Sequence, residues 1–146
     1  MEQRVNIQQT HPEAYKALYS LAAGLNKSGL SPILKHLIKV RASQLNSCAY
    51  CMNMHTKEAL AIGETQQRLF VLSAWRETNL FTEEEKALLA LTEEVTLIAN
   101  KGVSDTTYNA AAKFFSAEAI AEIILLTILM NAWNRIAVST HMQVDK

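Results

Sequence analysis

The chain has 146 residues with 14 basic and 14 acidic side chains, so its formal charge cancels. Without a basic stripe it carries no footprint for nucleic acid. Hydrophobic residues make up 49% of the chain, which fits one domain with one core. More helix faces are apolar than one small core needs, so a homo-oligomer is expected. The longest apolar run lies near Ala119 to Met130, and Glu122 interrupts it. It is too short for a bilayer and reads as a buried helix. The first ten residues lack the apolar region of a signal peptide. A cytoplasmic location with no membrane partner follows as the expectation. In a reducing compartment two cysteines point to catalysis or metal binding rather than to a structural staple.

Four glycines, two prolines and little β-branched alternation predict helices throughout. The first starts near Pro12, with Thr10 or His11 as cap, and ends before Gly29. Ser31-Pro32 is an N-cap followed by an N1 proline, opening a helix to about Gln44. The third spans about Cys48 to Ala61, with Gly63 as its stop. A fourth covers 65–76 around Leu69, Leu72 and Trp75. Thr82 and Glu85 form a capping box that opens a fifth helix to about Asn100. Ser104-Asp105 starts a sixth, and Ser116 the last and longest, to about Thr140. Seven helices and no strand make one all-α domain over residues 1–146.

The chemistry concentrates in Cys48-Ala-Tyr-Cys51-Met-Asn-Met-His55. Helical spacing puts both sulfurs on one face, within reach of a disulfide. A helix start at Asn46 or Ser47 places Cys48 in the first turn, where free N–H groups and the dipole favour a thiolate. His55 lies one turn beyond Cys51 on the same face and can take its proton. Cys51 is therefore the better nucleophile toward a peroxide oxygen, giving a sulfenic acid. Cys48 condenses with it to a disulfide. An external dithiol then reduces that disulfide, with Cys48 as its exposed point of attack. Two plainer readings stand beside this one. The pair can be a structural zinc half-site completed by His55 and a further ligand such as His36, or two inert core thiols.

The run from Arg41 through Cys48, Cys51 and His55 to Ala59 resembles the core motif of the alkylhydroperoxidase AhpD-like, or carboxymuconolactone decarboxylase-like, superfamily. Trp75-Arg76-Glu77, Leu80-Phe81-Thr82, Ala87-Leu88 and Asn131-Ala132-Trp133-Asn134-Arg135 extend the likeness over about residues 30–138. The resemblance implies an all-helical fold, trimers or hexamers, and hydroperoxide reduction by the two cysteines. It matches Cys51 to the peroxidatic position and His55 to the motif histidine. The family often places a glutamate twelve residues before the first cysteine; here that position is His36. A neutral imidazole can still relay a proton but brings no negative charge to hold His55 as imidazolium.

The function expected is a thiol-dependent hydroperoxide reductase. Cys51 attacks, Cys48 resolves, His55 activates and His36 assists the relay. Its partners are a hydroperoxide and a dihydrolipoamide- or thioredoxin-type dithiol, and neither cofactor nor metal is called for. The alternatives are a carboxymuconolactone decarboxylase-like enzyme, whose relatives generally lack the cysteine pair, and a non-enzymatic redox-sensing or zinc-binding oligomer. Elsewhere, Arg135 is expected to pair with Glu77, Glu93 or Glu94. Asn131 and Asn134 should bond across a helix junction, Trp75 and Trp133 should be core or interface aromatics, and Ser43 and Gln44 should lie near the thiols. The Glu83-Glu84-Glu85 run should favour the positive end of its helix.

Overall fold

The computed structural model describes residues 2–27 and 29–144. Among them are eight α-helices, one 3-10 segment and no strand: α1 (Ile7–Thr10), α2 (Pro12–Asn26), α3 (Pro32–Leu45), α4 (Ala49–Ala61), α5 (Gln66–Val71), the 3-10 segment (Leu72–Glu77), α6 (Glu83–Thr96), α7 (Asp105–Ala111) and α8 (Ala117–Thr140).

Local chemistry sets most of the helix starts. Ser31, Ser104 and Ser116 each accept the backbone N–H three residues on, a cap worth about 1 kcal/mol. Thr82 and Glu85 complete the reciprocal capping box. His11 stands at the N-cap of α2, one of the two positions expected, though without a side-chain bond, and Asn6 caps an additional short helix, α1. The fourth segment also differs: α5 passes at Leu72 into the 3-10 segment, which is itself kinked at Ala74. α6 ends at Thr96 rather than near Asn100.

α3, α6 and α8 pack on one another, with α4 against α3 and α2 along α8. Leu37, Ile38 and Val40 of α3 meet Leu88, Leu89 and Leu91 of α6 and Ile120, Ile123 and Leu126 of α8 in the main core. By length and composition α8 could cross a membrane. Two of its buried polar groups, however, bond to other segments of the chain. Glu122 accepts the Leu30 N–H at 3.2 Å and faces Lys35 at 3.4 Å. Asn134 donates to the Ser43 hydroxyl at 3.1 Å. Such groups are costly to bury without partners, so they specify how α8 docks.

Glu93 ties three segments together. It accepts from Arg41 at 2.7 Å, Trp75 Nε1 at 2.7 Å and Arg76 at 2.6 Å. These bonds outweigh burial and hold its carboxyl below the usual range. Arg135 does not join them, contrary to expectation. It is exposed and bonds to Asn131 within α8. Its place on the helix turns it to solvent, while Arg41 and Arg76 reach Glu93 instead. Glu85 also does more than favour a helix dipole, since it accepts a hydrogen bond from Arg68 at 2.5 Å.

Candidate active site

The turn joining α3 to α4 builds the dithiol. Asn46 Nδ2 donates to Oδ1 of Asn131 at 3.0 Å and of Asn134 at 2.9 Å, fastening the turn to α8. Both α8 asparagines thus bond across a helix junction, as their sequence positions imply. Ser47 takes the left-handed conformation, φ 52°, which reverses the chain into α4. The Cys48 N–H then donates to the Ser43 carbonyl at 3.0 Å.

Cys48 is the N-cap of α4 and not part of its first turn. Its sulfur accepts the Cys51 backbone N–H at 3.3 Å. Capping by sulfur exposes it to the unsatisfied donors and positive end of the helix. The Cα atoms of Cys48 and Cys51 are 5.4 Å apart, and their sulfurs form a disulfide. Both residues are almost fully buried. Cys48 is therefore not the exposed point of attack. Cys51 lines a cavity of about 310 Å³ and Cys48 does not.

His55 lines the same cavity, with Glu58 and Lys39. The His55 Nδ1–Glu58 Oε2 distance is 2.8 Å. A carboxylate on Nδ1 selects the Nδ1–H tautomer and leaves Nε2 as the proton acceptor. Burial lowers the His55 pKa, and the hydrogen bond and charge of Glu58 offset only part of that. The shift favours the neutral imidazole over the imidazolium, with Nε2 left to accept a proton. Burial works against the Glu58 charge, but the bond from His55 and the charge of Lys39 keep its pKa below the ordinary value.

His36 approaches from α3. Its ring centroid lies 6.3 Å from that of His55, and its Nδ1 is 3.8 Å from Glu58 Oε2. That nitrogen is buried and has no hydrogen-bond partner. Burial, reinforced by Lys39, lowers the His36 pKa to about 4. His36 therefore joins the His55–Glu58 group and is not one of the residues lining the cavity around Cys51.

The remaining cavity wall is apolar and aromatic. Tyr15 meets Trp133 edge-to-face at 5.0 Å and Tyr19 at 5.4 Å, and Tyr50, Met54, Leu126 and Leu129 complete much of the lining. Trp133 is thus a cavity residue, whereas Trp75 is buried core. A dithiol that closes, a neutral imidazole one turn away and an apolar chamber over Cys51 suit thiol chemistry on a small organic molecule.

The profile of the carboxymuconolactone decarboxylase family matches residues 12–94, more than half of the chain. The chain belongs to that family. It is 37% identical over 139 residues to the uncharacterized protein YdfG of Bacillus subtilis (strain 168), covering 95% of each chain. A solved structure of ATU0492 from Agrobacterium tumefaciens has 39% identity, a TM-score of 0.96 and 99% coverage of both chains. That protein is described as of unknown function and as a candidate antioxidant defence protein AhpD. The debrominase Bmp8, solved with 2,3,4-tribromopyrrole, shares the fold at 18% identity and a TM-score of 0.83, over 94% of this chain and 74% of Bmp8. The fold is thus the AhpD-like one, and the family includes enzymes.

Within this family member the structure places Cys51 and His55 on α4, Cys48 at its N-cap, and His36 beside His55. Sequence reasoning missed Glu58 and Lys39. Glu58 was detectable, because a carboxylate three residues after a helical histidine shares its face. Lys39 had no such signal, since it reaches the cavity only through the packing of α3 on α4.

Proposed function

We propose that this protein is a thiol-dependent hydroperoxide reductase. The observation that carries the reading is the placement of Cys51, paired with Cys48, in one cavity with the His55–Glu58 pair. In the reduced protein, His55 Nε2 takes the Cys51 proton. The thiolate attacks the terminal oxygen of ROOH; the O–O bond breaks, Cys51 becomes a sulfenic acid, and the alkoxide takes the proton from His55 to leave as ROH. The Cys48 thiol attacks the Cys51 sulfur, forming the disulfide and releasing water.

A dithiol of the dihydrolipoamide or thioredoxin type then completes the cycle. Its thiolate attacks Cys51, the sulfur facing the cavity, and displaces Cys48 as a thiolate. The Cys51 N–H at the helix start is already aimed at that sulfur, which stabilises it as a leaving group. The donor's second thiol releases Cys51, and the donor leaves as a disulfide. Glu58 acts as a positioning residue, holding the His55 tautomer that this proton transfer needs.

A cytoplasmic homo-oligomer, a trimer or hexamer, goes with this reading. Leu125 and Ile128 of α8, with Phe114 nearby in sequence, expose apolar surface that supports assembly. A second reading, proton-transfer chemistry on a small carboxylic acid, is favoured by neutral His55 beside Lys39 in an aromatic cavity. Peroxide consumption with a dithiol reductant tests the first. Wild type should turn over and Cys51→Ser should not. Equal rates would remove Cys51 as nucleophile, and lactone turnover by a Cys48→Ser/Cys51→Ser variant would favour the second.

A further inference from the structure

We propose that His36, His55 and Glu58 form a binding site for a divalent transition-metal cation of the zinc type. Each offers one ligand atom, and the three atoms lie within 4.8 Å of one another. Two imidazoles and a carboxylate are a donor set that zinc favours, with bonds of about 2.0–2.2 Å and a fourth position left open. The cysteines are not needed, in contrast to a zinc half-site built on Cys48 and Cys51.

The strongest pointer is His36 Nδ1. A buried ring nitrogen without a partner forfeits its solvation for nothing in return. It faces Glu58 Oε2 at 3.8 Å, too far for a hydrogen bond. His55 Nδ1 is 2.8 Å from the same oxygen. A cation among the three would give His36 the partner it lacks. The ligands stand on two packed helices, α3 and α4, so little backbone ordering is required. The Glu58 side chain remains 45% exposed, which leaves a route in from solvent.

Lys39 opposes the site. Its charge acts on His36, His55 and Glu58, so removing it should tighten binding. For the function proposed above, on which this consequence rests, a cation on His55 Nδ1 moves the ring proton to Nε2. His55 then cannot accept the Cys51 proton, and the cation inhibits the cycle.

The test is calorimetric titration of the full chain, chelator-stripped and with its disulfide formed, with zinc chloride and separately with magnesium chloride. One zinc per chain and no magnesium binding are expected. His36→Ala and Glu58→Gln should each weaken zinc by about tenfold or more, Lys39→Met should tighten it severalfold, and Cys48→Ser/Cys51→Ser should retain it. His36→Gln serves as a second variant, with circular dichroism to verify that each protein is folded. No zinc binding, equal affinity in folded His36 variants, or loss in the double cysteine variant overturns the site. Peroxide consumption should be inhibited at lower zinc concentration in wild type than in His36→Ala. Because the titration uses no peroxide, its outcome is independent of whether the protein is a peroxidase.

Discussion

His55 Nδ1 and Glu58 Oε2 lie 2.8 Å apart, three residues apart on α4. This contact supplies the negative charge that His36 cannot bring from the position where a glutamate often stands in the superfamily. The carboxylate comes from the helix that carries the thiols. Glu58→Leu should therefore lower peroxide consumption by about 10–100-fold, as loss of an orienting partner does. Iodoacetamide labelling of reduced Cys51 should shift toward the ordinary thiol range, near ~8.5. An unchanged labelling profile would remove Glu58 from the relay.

The two sulfurs should separate by mass spectrometry after one equivalent of hydroperoxide. Wild type should carry the Cys48–Cys51 disulfide. Cys48→Ser should retain an oxidised Cys51 that a sulfenic-acid reagent traps, and Cys51→Ser should stay unmodified. Trapping on Cys48 in the Cys51→Ser protein would reverse the assigned roles.

Glu93 should dominate stability among the acidic residues of α6. It is buried and bonded to Arg41, Trp75 and Arg76. Glu93→Ala leaves a buried guanidinium uncompensated and should cost about 3–5 kcal/mol, measured by urea unfolding. Arg135→Ala, which removes an exposed contact within α8, should change stability by less than about 0.5 kcal/mol.

The acid limb of stability should report His36. Its folded pKa is about 4, lowered from 6.5 by burial. Between those values the unfolded chain binds more protons, so stability falls as pH drops from about 6.5 toward about 4. Burial lowers the His55 pKa as well, adding loss of the same sign. His36→Leu, unfolded in urea with chelator present, should show a flatter pH dependence over this window. A slope identical to wild type would mean that the ring is not buried as a neutral base.

The exposed apolar residues of α8 should be an assembly surface. Leu125→Glu/Ile128→Glu should lower the mass found by analytical ultracentrifugation while leaving helical content intact. A wild-type protein that sediments as a monomer would exclude the oligomer.

Much of this protein was determined locally. Ser31-Pro32, Thr82 with Glu85, Ser104 and Ser116 start helices because their side chains satisfy N–H groups within their own turn. The cysteine–histidine register is equally local, since helical spacing alone puts Cys51 and His55 on one face. Tertiary packing decided the rest. The left-handed Ser47 and the Asn46 bonds to α8 move Cys48 out of the first turn and into the cap. The cavity exists only where α2, α3, α4 and α8 converge, so Cys51 and not Cys48 faces it. Glu93 takes Arg41 and Arg76 rather than Arg135 because partner choice follows helix orientation, which sequence spacing within one helix does not encode. The dithiol site was legible because its members are covalent near-neighbours, whereas its electrostatics were not, because Lys39 and His36 act on it across the α3–α4 contact.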